Sequence, residues 1–170
     1  MAELINAADI LQQYVGTMRA LDPFPEPARP PVLYLVGSLR NPRVPELAEK
    51  LRRLGFEVFD DWYAAGPEAD DYWQRYERDR GHDLVEALEG HAARHVFDYD
   101  HRHLDRSDLG VLLLPAGRSG HLELGYLAGR QVPTHIILEG EPERYDVMYR
   151  FATQVWRTED DFLRGVAPSN

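Results

Sequence analysis

An apolar run set between a carboxylate and a glycine-rich turn constrains this chain more than any other feature. Asp108 precedes Leu109-Gly-Val-Leu-Leu113, the turn Pro115-Ala-Gly-Arg-Ser-Gly120 follows, and apolar residues then recur at helical spacing through Tyr126. A run that is apolar on both faces reads as a buried parallel strand. The order strand, glycine turn, helix puts the turn at the carboxyl edge of an open α/β sheet, where such sheets bind ligands. Ser119 is the expected N-cap, with the helix starting near Gly120 and Glu123 in its first turn. There the helix dipole favours an ionised carboxylate beside N–H groups that suit an anion.

The same grammar recurs along the chain. Val32–Val36 reads as a first strand, ended by Gly37-Ser-Leu-Arg-Asn41. A helix with the stripe Leu47, Ala48, Leu51 and Leu54 follows, with Pro45 in its first turn and Gly55 at its end. Phe56–Phe59, Thr134–Leu138 and the short Gln154–Trp156 complete the strand set. Helices are expected over Asp71–Leu88, broken near Gly81, over Val96–Ser107, over Tyr145–Thr153, and after a Thr158 cap. Alternating strands and helices predict an α/β fold: a flavodoxin-like (Rossmann-like) three-layer arrangement around a parallel sheet of four or five strands.

Residues 1–31 read as a separate N-terminal unit. Leu4, Ala8, Leu11, Tyr14, Val15, Met18 and Leu21 form an amphipathic helix stripe, and Asp22–Pro31 is a stiff proline-rich connector. The domain proper spans 32–170. With 170 residues, 44% of them hydrophobic, the chain makes one domain with a real core. It has no cysteine, no signal-peptide pattern and no membrane-spanning apolar stretch, so a cytoplasmic protein is the simplest reading. A net charge of −10 argues against nucleic acid or an anionic membrane as partner. It does not exclude a small anionic substrate, which local arginines such as Arg40 and Arg43 would hold.

Three segments are expected to meet at the carboxyl edge: Tyr34–Arg40, Asp60–Trp62 and Asp108–Glu123. The Asp61 carboxylate and the flat Trp62 ring suit a base, although Trp62 packed on the core is the competing reading. His101 and His103 are two apart, point in different directions on a helix, and so make a poor metal pair.

Two runs carry a resemblance. Leu33-Tyr-Leu-Val-Gly-Ser-Leu-Arg40 resembles the first strand and loop of the nucleoside 2-deoxyribosyltransferase superfamily, including its nucleoside-monophosphate N-glycosidase branch. Gly117-Arg-Ser-Gly-His-Leu-Glu-Leu-Gly-Tyr126 resembles that superfamily's nucleophile motif. The resemblance implies Glu123 as the nucleophile at the anomeric carbon, Tyr34 as its orienting hydroxyl, and Asp108 as the group that helps protonate the leaving base. Gly37, Ser38, Leu39 and Arg40 would wrap the sugar or a 5′-phosphate, with Ser119, Gly120 and His121 in the second phosphate turn. Gly117 stands where the transferases carry an acidic residue six before the nucleophile, which sets the chain apart from plain transferases. The implied reaction is hydrolysis or base transfer on a nucleoside or nucleotide by a homodimer or higher oligomer, with no metal and no other cofactor. A non-catalytic nucleotide sensor and a TIR-like NAD hydrolase are the alternatives.

Overall fold

The computed structural model describes residues 29–142 and 145–167. The amphipathic segment 2–21 and most of the connector lie outside these residues. Five strands form one parallel sheet in the order β2-β1-β3-β4-β5: β1 Val32–Val36, β2 Glu57–Phe59, β3 Leu109–Leu113, β4 Thr134–Ile137 and β5 Gln154–Trp156. This is the flavodoxin-like order, and it reverses direction between β1 and β3. The two strands at that switch point are the most apolar in the chain. Both are buried on both faces, as central parallel strands require.

Strand alternation divides the core in two. Leu33, Leu35, Val111, Leu113 and Ile137 point to one face. There they pack on helix α1 (Arg43–Arg53) through Val44, Leu47 and Leu51, and on α6 (Glu159–Val166) through Phe162. Tyr34, Val36, Leu112 and Ile136 point to the other face. It is covered by α4 (His91–Asp105) through Leu104 and α5 (Arg118–Gly129) through Leu124 and Leu127. Gly55 ends the α1 turn at φ 94°, a conformation that favours glycine. Two further helices, α2 (Ala69–Asp79) and α3 (Leu84–Leu88), form the segment between β2 and α4. They are separated at Gly81, as its breaker character predicts.

Three local expectations need correction. The helix expected over Tyr145–Thr153 is only a 3-10 turn, Val147–Phe151. Asp146 caps it by accepting from Met148 N, and Ala152 is already extended to feed β5. Helix α4 starts five residues before Val96, because its first turns project into solvent and carry no apolar periodicity. Helix α5 begins at Arg118, so Ser119 is its second residue, the N-cap is Gly117, and no side chain caps it.

Candidate active site

Glu123 is the sixth residue of α5, hence in the second turn rather than the first. Close packing of the helix against the switch point sets its position. A Cβ on Gly120 would come within 2.8 Å of Val36 Cγ1 and 3.3 Å of Leu112 Cδ1, so only glycine lets α5 settle this deeply on β1 and β3. The carboxyl of the half-buried Glu123 is pushed up from 4.5 to about 7, first by loss of water and then by the charge of Asp100. That corresponds to about 3 kcal/mol against the ionised form. The helix dipole offers only about 0.3–1 kcal/mol, and chiefly in the first turn. Burial therefore outweighs the dipole, and Glu123 is held less readily in its ionised form than its place in the helix alone implies.

Asp100 is the carboxyl beside Glu123 that sequence reasoning missed. It lies on α4 one turn before Leu104, which is buried in the core, so Asp100 shares the inward stripe of that helix. Burial pushes its carboxyl up from 3.8 to about 6. Tyr34, in the middle of β1, is almost wholly buried. Its hydroxyl is pushed well above its ordinary value by burial and then by the negative charges of Glu123, Asp100 and Tyr99. A neutral phenol therefore stands among these groups. A carboxylate on the apolar stripe of a helix, four residues before a core leucine, was the available signal.

A polar network holds the two helices together. His101 Nε2 is 2.9 Å from the Tyr126 hydroxyl, which donates to Asp105 at 2.7 Å, and Arg130 donates to the same carboxylate at 2.6 Å. His103 turns the other way and stacks on Phe59 with ring centroids 3.8 Å apart. The two histidines thus diverge as their spacing predicts. Among the described residues no group of three or more His, Cys, Asp or Glu is placed to hold a metal ion.

Asp108 does not join this group. It lies at the amino end of β3, a five-residue strand, or about 17 Å, from the turn that leads to α5. Its carboxylate accepts from Arg29 at 2.8 and 3.0 Å and from Val32 N at 2.9 Å. These donors, the Arg29 side chain foremost, hold its pKa below the usual carboxylate range. A carboxylate so held fastens the entry to β1 and is in no position to serve a base at the opposite edge.

The loops at the carboxyl edge are arranged as follows. Gly37 ends β1, and a Cβ there would meet Val44 Cγ2 at 2.7 Å. Ser38 Oγ accepts from Arg40 N at 3.2 Å, and Leu39 is half-buried in the same turn. The Arg40 guanidinium is paired with Asp71 of α2 at 2.6 Å. Asn41 is buried, and its Nδ2 has no hydrogen-bond partner. Ser119 is exposed on the first turn of α5, while Gly120 is buried beneath it. His121 Nδ1 donates to Gly117 O at 2.8 Å, and its Nε2 lies 3.3 Å from the Tyr149 hydroxyl. Asp61 is exposed at the start of the 3-10 turn Asp61–Ala65. Trp62 packs on both core clusters and donates its indole N–H to Leu35 O at 2.9 Å. β2 stops at Phe59, opposite Tyr34, so this indole meets the next carbonyl that β2 leaves open.

Fold and site together define a flavodoxin-like α/β domain with two half-buried, mutually repelling carboxyls, Glu123 and Asp100, near its switch point. Two solved structures share that fold. One is the CMP N-glycosidase BcmB of Clostridium botulinum, at 14% identity and a TM-score of 0.50, covering 79% of this chain and 97% of that one. The other is a conserved protein from Enterococcus faecalis V583, at 15% identity and a TM-score of 0.52, covering 79% and 96%. No protein-family profile matches the sequence, and no curated protein matches it.

Proposed function

We propose that the protein cleaves the N-glycosidic bond of a nucleoside or nucleoside 5′-monophosphate, with Glu123 as nucleophile and Asp100 as the acid for the leaving base. The carboxyl pair beside the neutral Tyr34 hydroxyl carries this reading. Breaking a glycosidic bond needs one carboxylate to meet positive charge on the sugar and one acid to protonate the departing group. Two carboxyls raised to about 6 and about 7 hold roughly one proton between them at pH 6.5. That proton favours Glu123, the more strongly raised of the two. A sugar that gains positive charge beside Glu123 reverses the preference and drives the proton toward Asp100 and the base.

In the first step the Glu123 carboxylate bonds to the anomeric carbon, the C–N bond breaks, and the base leaves with the Asp100 proton. In the second, the Asp100 carboxylate takes a proton from water, the oxygen attacks the anomeric carbon, and Glu123 is released as a carboxylate. Tyr34 orients Glu123. The scheme uses no metal or redox group.

The reading extends to substrate binding. The uncapped start of α5 leaves N–H groups around Ser119 for a 5′-phosphate, and Arg40 with the Gly37-Ser38 turn supplies the other wall. The unpartnered Asn41 amide adds a donor beside that turn. Asp61 and the part-exposed Tyr99 both lie near His103 and offer a carboxylate and a flat face for the base. A homodimer belongs to the same reading. Tyr72, Tyr76, Val85, Leu88, Val96 and Phe97 expose apolar surface across α2, α3 and the projecting end of α4, as a buried subunit contact requires.

Mass spectrometry of the products from a mixed pool of nucleosides, nucleoside 5′-monophosphates and NAD tests the activity. Free base together with pentose or pentose phosphate is the expected result. Nicotinamide release alone would favour the TIR-like alternative, and tight binding without turnover would favour the sensor.

A further inference from the structure

We propose that the notch between α2 and α3 is a binding site for the amidine edge of a nucleobase, the ring N=C–NH2 face that cytosine and adenine share. The notch has a volume of about 270 Å³, and its lining includes Trp73, Glu77 and Arg78 of α2 with His82, Leu84 and Ala87 of the turn and α3. Glu123, Asp100 and Tyr34 do not line it. A helix held in place by packing buries an apolar stripe. Along α2 the one buried residue is instead Glu77, 3% exposed, and along α3 it is Ala87. Burying a carboxylate is costly unless its oxygens are matched. Oε2 of Glu77 accepts from His82 Nδ1 at 2.6 Å and lies 3.6 Å from Arg80 Nη1, but Oε1 accepts no hydrogen bond among the described residues. Trp73 stands one turn earlier on the same side of α2, and its buried Nε1 has no partner. An unmatched buried N–H also costs stability. Apolar side chains at 73 and 77 would join the two helices without either cost, so packing alone does not account for these residues.

The unmatched groups define the ligand. The Trp73 N–H requires an acceptor, and Glu77 Oε1 requires a donor. His82 gives its Nδ1 proton to Glu77, which leaves Nε2 of the neutral ring as a second acceptor. An ammonium or guanidinium brings donors only and leaves the indole unserved. A carboxylate or phosphate brings acceptors only and meets Glu77. A ring nitrogen next to an exocyclic amine brings both, and the amine has one hydrogen for each acceptor. The indole face and Leu84, which is 67% exposed, give that flat ring apolar walls. Uracil and hypoxanthine carry a carbonyl and an N–H at the same edge and so reverse the pattern.

The test follows the indole N–H resonances of the full-length protein during titration with free bases. These carry no glycosidic bond, so the outcome is independent of the proposed cleavage. Trp73→Phe identifies the Trp73 signal by its loss. Cytosine and adenine should shift that signal saturably, and uracil and hypoxanthine should leave it in place. Glu77→Gln keeps the side-chain volume, and the cytosine concentration needed to shift the Trp73 signal should rise about tenfold. A Trp73 signal unmoved by cytosine and adenine would overturn the inference, as would equal shifts with cytosine and uracil. An unchanged cytosine response in a folded Glu77→Gln protein would overturn it too. The titration of the unaltered protein decides the matter even where Glu77→Gln fails to fold.

Discussion

Asp100 on α4 acts on Glu123 on α5: its charge helps raise the Glu123 carboxyl to about 7, and both charges fall on the Tyr34 hydroxyl. Three elements separated in sequence thereby bring these groups within each other's electrostatic reach. Those shifts lead to the first two predictions.

Glu123→Gln keeps the shape and removes the charge. Turnover should fall by about 10³- to 10⁶-fold, the range for loss of a covalent nucleophile, while substrate still binds. A slow fluorinated substrate with the unaltered enzyme should leave a sugar adduct on the Glu123 peptide by mass spectrometry. A Glu123→Gln variant with near-normal cleavage would falsify the nucleophile assignment.

The pair also sets the pH dependence. Activity should follow a bell with limbs near 6 and 7, and Asp100→Asn should remove the bell and slow substrates with poor leaving bases most. Stability should move in parallel. Both carboxyls are raised above their unfolded values, so stability is fully present below about pH 4 and is lost as pH rises through 6 and 7. Glu123→Gln should therefore stabilise the fold at pH 8, by up to about 3 kcal/mol, and scarcely at all at pH 4. Thermal melts at the two pH values measure the difference.

Asp108→Ala should behave as a stability variant. It loses a part-exposed ion pair and the cap on Val32 N, at a cost of about 1–2 kcal/mol, while kcat stays within about twofold. The depressed Asp108 pKa means that its contribution is present above the ordinary carboxylate range and is lost as pH falls below it. Urea midpoints at neutral and acid pH, set beside turnover, check both statements. A large drop in kcat without loss of stability would return Asp108 to the chemistry.

Arg40 and Asp71 make opposed predictions. Arg40→Ala should weaken monophosphates about tenfold or more and leave nucleosides nearly unchanged. Asp71→Asn removes the competitor that now holds the guanidinium, so monophosphates should bind more tightly. Titration of one nucleoside and its 5′-monophosphate against both variants decides this, and equal effects on the two ligands would sink the phosphate assignment.

Trp62→Ala should cost about 3–5 kcal/mol of stability, because the ring packs on both clusters. Trp62→Phe keeps the packing but leaves Leu35 O without its donor, so a smaller loss is expected. Chemical unfolding of the two variants separates packing from the hydrogen bond. A fully stable Trp62→Ala protein with altered base preference would restore Trp62 to the base pocket.

The sheet was legible because its strands are nearly pure apolar runs between turn residues. Val32–Val36 and Leu109–Leu113 allow few other interpretations, and the Gly37 and Gly117–Gly120 turns fix which edge is open. Helix ends were harder to read. Ser119 has good capping chemistry, yet Gly117 takes the position and Ser119 falls inside the first turn. Asp108 drew attention by preceding a strand, although the amino edge is the wrong end for a ligand. Asp100 was hidden among the alternating acids and histidines of α4, where only the packing of Leu104 reveals which side faces inward.

The contact of Gly120 with Val36 and Leu112 also sets a tolerance on the chemistry. The depth of α5 is set by something absent, a side chain at position 120. A single added methyl at 120 would act as a shim beneath the helix, lifting the second turn, and Glu123 with it, off the sheet. On the proposed mechanism, Gly120→Ala should therefore leave a folded domain whose Glu123 stands slightly too far from the anomeric carbon, and a displacement on the order of 1 Å is enough to cost about a hundredfold in rate.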